Sequence, residues 1–278
     1  MPYKSVFLWF SIVVLMAVTA CASSPIDPED DRQVRDALPE PLDNAWTRLD
    51  TAQQKLLGSP NDTPQWQHYR LPGKQASEYS FARLQGRDAM AVTAKSSASL
   101  LRQKVRIEPQ DLAQIKFSWK VPELIAMADL AVRENADSPV RIVLAFEGDR
   151  SKFSAKNAML SELAHTLSGE PLPYATLMYV WCNTRVPGTV ITSTRSDRIR
   201  KMVVESGAKN VNMWMDYERN IRADYEKAFG EAPGALVGIG IMTDSDNTRT
   251  TTRAWYGQVK LAGVASQQTA APAGSPAF

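Results

Sequence analysis

Near its C-terminal end the chain crowds six polar residues into one short loop, Thr243-Asp244-Ser245-Asp246-Asn247-Thr248. Two kinds of chemistry suit such a set. A hard cation such as calcium takes several oxygen ligands from one tight loop, and Asp244, Asp246 and Asn247 offer three. The loop is not an EF-hand, because its sixth position is Arg249 where glycine is required and its twelfth is Trp255 where glutamate is required. By residue type, Asp244 and Asp246 also qualify as the acid and base of a glycosidase, whose carboxyl groups stand ~5–9.5 Å apart across the scissile bond. Two residues this close on one strand lie on the same side of a substrate, so a further acid such as Glu147 or Asp216 would have to oppose them. The plainer alternative is that these side chains bond to backbone N–H groups and hold a sharp connection.

Aromatic and amide side chains offer a further chemistry. β-Sandwich modules hold sugars on flat aromatic faces with planar polar partners, and Trp181, Trp214 and Asn220, together with Asp244, Asp246 and Asn247 of the polar loop, are the candidates for ligand contact. Trp119 sits on the apolar side of an alternating run and reads as core. The two histidines, His68 and His165, belong to no HExxH pair, and there is no GxSxG elbow or GxxxxGK[ST] phosphate loop. No cofactor is expected beyond calcium at the polar loop.

The elements that must position these residues are mostly strands. Ala113 to Val121 alternates strictly, with Ala113, Ile115, Phe117, Trp119 and Val121 on one face and Gln114, Lys116, Ser118 and Lys120 on the other. That is the pattern of a sheet with one face in the core. Further strands are expected at 66–71, 79–84, 89–94, 100–107, 140–147, 174–182, 189–193, 199–204, 236–243 and 253–261. Two helices are expected. The first, 155–168, has a stripe of Leu160, Leu163, Ala164 and Leu167 and stops at Gly169. The second, 217–229, is capped by Asp216 and stops at Gly230. Residues 45–57 suit a third, short helix. Many strands and few helices predict an antiparallel, jelly-roll-like β-sandwich with about two peripheral helices. The polar loop then joins its last two strands. The arginine-rich run Arg195, Arg198, Arg200 and Lys201 reads as a solvated strand edge.

The ends of the chain carry the address. Lys4 is followed by an apolar run from Val6 to Val18, shorter than the ~20 residues of a comfortable span. Val18-Thr19-Ala20-Cys21 resembles a bacterial lipobox, whose cysteine becomes the lipidated first residue. No Asp follows Cys21, so the resemblance implies a Gram-negative outer-membrane lipoprotein facing the periplasm. Domain organisation follows: signal peptide 1–20, flexible tether 21–43, a single sandwich domain 44–264 and a disordered tail 265–278. The 278-residue chain has 32 Lys and Arg against 30 Asp and Glu, which gives no footprint for nucleic acid. With Cys21 lipidated, Cys182 is left alone in an apolar run and reads as a buried, inert thiol.

Several segments together resemble the family called domain of unknown function 3047: Tyr179-Val180-Trp181, Arg219-Asn220 with Asp224-Tyr225 and Phe229-Gly230, and the stretch from Gly238 to Thr248. The likeness spans roughly residues 65–262. It departs where Tyr256-Gly257 is followed by Gln258 instead of an aspartate. The family has no established function, so the resemblance implies a domain and leaves the activity open. The expected function is an envelope lipoprotein whose sandwich binds a glycan or envelope partner without catalysis. The alternatives are a carbohydrate-active enzyme using Asp244 and Asp246, and a purely structural lipoprotein.

Overall fold

A computed structural model describes residues 44–57 and 65–263. The signal segment, Cys21, the tether and the tail lie outside the described residues. The strands are β1 (Gln67–Arg70), β2 (Glu78–Leu84), β3 (Arg87–Lys95), β4 (Ala98–Ile107), β5 (Leu112–Lys120), β6 (Ser138–Phe146), β7 (Ala175–Cys182), β8 (Val190–Thr192), β9 (Ile199–Ser206), β10 (Trp214–Asn220), β11 (Leu236–Asp244), β12 (Thr251–Tyr256) and β13 (Lys260–Gly263). The helices are α1 (Thr51–Leu57), α2 (Ala155–Ser168) and α3 (Ile221–Phe229).

They build a two-sheet sandwich. One sheet has the order β1-β4-β11-β6-β7-β9-β8, and the other β10-β5-β12-β3-β2, with β13 also pairing β5. Period-2 alternation turns one face of each sheet inward. Ile142, Leu144, Tyr179 and Trp181 of the first sheet meet Ile115, Phe117, Trp119 and Tyr256 of the second, all buried. Phe117 stacks on Tyr179 at 5.6 Å across the layer. The mainly β sandwich is as expected, but it is not wholly antiparallel. β7 and β9 pair in parallel, because the chain between them first lays down β8 on the far side of β9.

Two other expectations fail. The segment from Trp214 to Asn220 is a strand paired to β5, not the opening of a helix. Asp216 therefore lies exposed on β10, bound to Arg87, and α3 starts at Ile221 under Asn220, whose Oδ1 accepts from the Ala223 N–H at 2.9 Å. Helix α2 has the expected span and stops at left-handed Gly169 as expected, and Ser154 caps its start. It is rolled by part of a turn, however, so that Leu160 and Ala164 of the expected stripe are half-buried and Leu163 and Leu167 are exposed. Asn157 and Ser161 are its buried residues, while Met159, Leu163 and Leu167 are 65%, 52% and 60% exposed. The reason is polar anchoring. Asn157 donates to Asp197 at 2.6 Å and accepts from Ser196 at 2.8 Å, and Ser161 accepts from Arg150 at 3.0 Å.

Candidate functional site

The polar corner is built by β11 running out of the sheet at Asp244 and returning as β12. Inward-facing Thr243 donates to the Pro139 carbonyl at 2.9 Å and meets the Tyr256 hydroxyl at 3.0 Å. The fully buried Ser245 donates its N–H to the Ser97 carbonyl. The organising group is Asp137, in the approach to β6. One of its carboxylate oxygens accepts from Asn247 N and Nδ2 at 3.3 and 2.7 Å, the other from Thr248 N and Oγ1 at 2.7 and 2.6 Å. Asp246 is paired with Lys74. Asp244 accepts from Arg141 at 2.8 Å, and both side chains are buried.

Carboxylate oxygens of Asp137, Asp244 and Asp246 lie within 4.8 Å of one another, so the geometry alone admits a cation. The donors around them argue against one. Four hydrogen bonds already occupy Asp137, and Arg141 and Lys74 place two positive charges in the cluster. Asp244 Oδ1 is buried without a hydrogen-bond donor and faces Asp137. Burial pushes the Asp244 carboxyl well above the usual range against the pull of Arg141, and the Asp137 carboxylate adds to the rise. Burial works to raise Asp137 too, but the hydrogen bonds from Asp244, Thr248 and Asn247 outweigh it and hold it low. Asp244 thus keeps its proton and donates it to Asp137. The arrangement locks the loop against the approach to β6.

The remaining expected site residues lie apart. Trp181 is core, 1% exposed, with Nε1 donating to the Gly207 carbonyl at 2.9 Å. Trp214 starts the edge strand β10, and the Arg87 guanidinium covers its ring at 5.3 Å. Asn220 caps α3. Cys182 is a buried free thiol. The basic run is not a solvated edge: Arg198 lies over the Tyr174 ring at 3.9 Å and pairs with Glu231 at 2.5 Å. Lys201 is buried, donating to the Leu130 carbonyl at 2.8 Å.

A place for a ligand lies in a feature the sequence reading missed. On the outer face of the seven-stranded sheet runs a groove of about 990 Å³. Along β11, Ile239 and Ile241 point into the core, so Gly238 and Gly240 point outward and leave its floor without side chains. A Cβ on Gly240 would meet Leu100 Cδ1 at 3.0 Å, whereas one on Gly238 would find its nearest neighbour at 3.5 Å. Leu100, Val143, Ala145 and Met178 complete the floor. One wall is the turn Glu170 to Pro173 after α2. It is pinned by Glu170, which takes two bonds from Arg102 at 2.7 and 2.9 Å and one from Lys104 at 2.9 Å. The Arg102 bonds, reinforced by Lys104, hold the Glu170 carboxyl down to about 2. Arg106 bridges Glu108 and Glu147 at 2.8 and 3.1 Å. The outward Gly-Ile-Gly-Ile alternation was the available signal, since glycine in the interior of a strand marks close approach of a ligand or another backbone.

A family model described as protein of unknown function (DUF3047) matches residues 64–260. The chain belongs to this family. No curated protein matches it. Among solved structures it is similar to the xyloglucanase domain of NopAA, a type three effector from Sinorhizobium fredii, in complex with cellobiose. That match has 8% identity and a TM-score of 0.37, covering 77% of this chain and 100% of the other. It is also similar to a carbohydrate-binding module studied for specific mannan recognition, at 10% identity and a TM-score of 0.27, covering 81% and 95%. Among the described residues, the groove lining holds no Ser, Cys, His or Asp. Glu170, held low, is unsuited to general-acid work, which needs a carboxyl pushed up.

Proposed function

We propose that this DUF3047 protein is a non-catalytic binding module of the cell envelope, and that it seats a glycan-bearing envelope molecule in the groove over Gly238 and Gly240. The observation that carries the reading is the groove itself, a concave seat of ligand size. Guanidinium and carboxylate groups of Arg102, Glu170, Arg106 and Glu147 stand along its wall, and planar polar groups of this kind hydrogen-bond to sugar hydroxyls. The polar corner is assigned a structural role, since its side chains are spent on one another. The address is proposed from Val18-Thr19-Ala20-Cys21: lipidation at Cys21 and attachment to the outer membrane, facing the periplasm of a Gram-negative bacterium.

Titration calorimetry of the full chain against soluble oligosaccharides released from envelope polysaccharide tests the seat. Binding is expected to weaken in Gly238→Leu, which fills the floor, and to persist in Asp246→Asn. The reverse pattern refutes it, and release of shortened sugars by the wild-type chain refutes the non-catalytic part. Radiolabelled palmitate incorporation, abolished by Cys21→Ser, tests the address.

A further inference from the structure

We infer that the groove takes an acyl chain, so that its ligand is an amphiphile whose polar head lies against the ionic wall and whose hydrocarbon lies along the glycine track. This rests on the groove being the binding seat and names the class of molecule it receives. The first observation is the separation of polarity within the groove. Its floor is aliphatic, formed by Leu100, Val143, Ala145 and Met178 around Gly238 and Gly240, while Arg102, Lys104, Arg106, Glu147 and Glu170 stand to the side of it. A free sugar asks for polar groups throughout and an aromatic plate to stack on. In each of the two tyrosines of the lining an arginine already covers one ring face. Arg102 covers Tyr69 at 4.0 Å, and Tyr174 lies between Phe153 at 5.6 Å and Arg198 at 3.9 Å. A floor of methylene and methyl groups fits a flexible chain of methylenes.

The second observation is independent of the first. Helix α2 holds Met159, Leu163 and Leu167 outward at four-residue spacing, and its polar anchor through Asn157 and Ser161 prevents it from rolling them in. Ala164, beside Leu163 on that helix, lines the groove, and the turn leaving the helix is the groove wall. An exposed aliphatic ridge therefore adjoins the mouth of an aliphatic trench. A ridge of that kind sits favourably at the headgroup boundary of a bilayer, and there it shortens the path in water of a chain moving between membrane and groove.

Fluorescence of cis-parinaric acid added to the purified full chain reads the seat directly. Wild type is expected to bind it. Gly238→Leu, whose side chain displaces roughly two methylenes of ligand, is expected to bind about tenfold more weakly. Ala145→Leu, filling the trench from β6, is expected to do the same and guards against a folding defect particular to Gly238. Leu163→Ser with Leu167→Ser is expected to leave affinity for the dissolved probe unchanged and to slow its uptake from phosphatidylglycerol–phosphatidylethanolamine vesicles. No binding by wild type, or wild-type affinity in both filled variants, overturns the inference; unchanged uptake from vesicles by the serine pair overturns the role of α2. If soluble oligosaccharides bind in a Gly238-dependent way while the acyl probe does not, the seat stands and the acyl assignment falls. If neither binds, both fall.

Discussion

Whether Asp244 carries a proton at neutral pH decides how the polar corner works, and a pair of substitutions separates the alternatives. In the protonated reading, Asp244 receives one bond from Arg141 and gives one to Asp137. Asparagine reproduces both, with its oxygen toward Arg141 and its amide toward Asp137, so Asp244→Asn is expected to cost less than about 1 kcal/mol. Alanine removes both bonds, each to a charged group, and leaves Arg141 with the Ala136 carbonyl as its remaining oxygen acceptor, at a cost of roughly 3–5 kcal/mol. For a domain of this size each kcal/mol moves the midpoint by about 2–4 °C. Calorimetry at pH 7 should therefore place Asp244→Ala roughly 10 °C below wild type and Asp244→Asn within about 2 °C of it. Equal, large losses in both variants would mean that the corner needs an ionised carboxylate, and the shared proton would be wrong. Adding millimolar calcium sharpens the test: a midpoint raised in wild type and unchanged in Asp244→Asn would show a cation site instead.

Other consequences are as direct. Burial and the nearby Arg141 lower Lys201 from 10.5 to about 7. Between those values the unfolded chain holds a proton that the folded chain has released, so this group makes stability rise with pH from about 7 to 10.5. Lys201→Met should flatten that rise in urea titrations across the window, and an unchanged slope would show that Lys201 stays charged. Glu170 acts in the same direction in a more acidic window, since its folded-state value is also lowered. Its contribution is complete above 4.5 and fades as pH falls toward about 2, so acid should loosen the groove wall, and Glu170→Gln should remove that pH dependence of probe binding while leaving neutral-pH folding intact. A Cβ on Gly234 would lie 2.2 Å from the Glu147 carbonyl oxygen; Gly234→Ala is expected to lower the midpoint by several degrees, and a wild-type midpoint would show that the backbone there yields freely. Asn220→Ala removes the α3 cap and should cost about 1 kcal/mol without affecting binding; lost binding at wild-type stability would restore Asn220 as a ligand contact.

The strands were legible because a sheet with one buried face imposes its period on the sequence, as in the Ala113 to Val121 run. Helix ends were legible at Gly169 and Gly230, where the left-handed turn suits glycine. Strand β10 was missed because Tyr217, Ile221 and Tyr225 have helical spacing. The alternating exposure of Asp216, Tyr217, Glu218, Arg219 and Asn220 is carried by Arg219 turning inward, which residue types alone do not show. The orientation of α2 was hidden for a different reason. Its leucine stripe invites burial, but Asn157 is held by Ser196 and Asp197, partners about forty residues away. Asp137 drew no notice as the centre of the polar corner, since the loop it serves lies more than a hundred positions further on. The groove escaped because glycines are read as turns before they are read as missing side chains.

Those glycines have a thermodynamic side. β11 is a central strand, and each glycine within it gives up roughly 0.5–1 kcal/mol relative to alanine. Gly238 has room for a methyl group. Directed evolution for heat resistance alone should therefore drift toward Ala or larger residues at Gly238, raising the melting point while closing the trench. Laboratory-stabilised variants of this domain would then be robust proteins with a blunted seat, and heat resistance would be a poor guide to fitness in the cell.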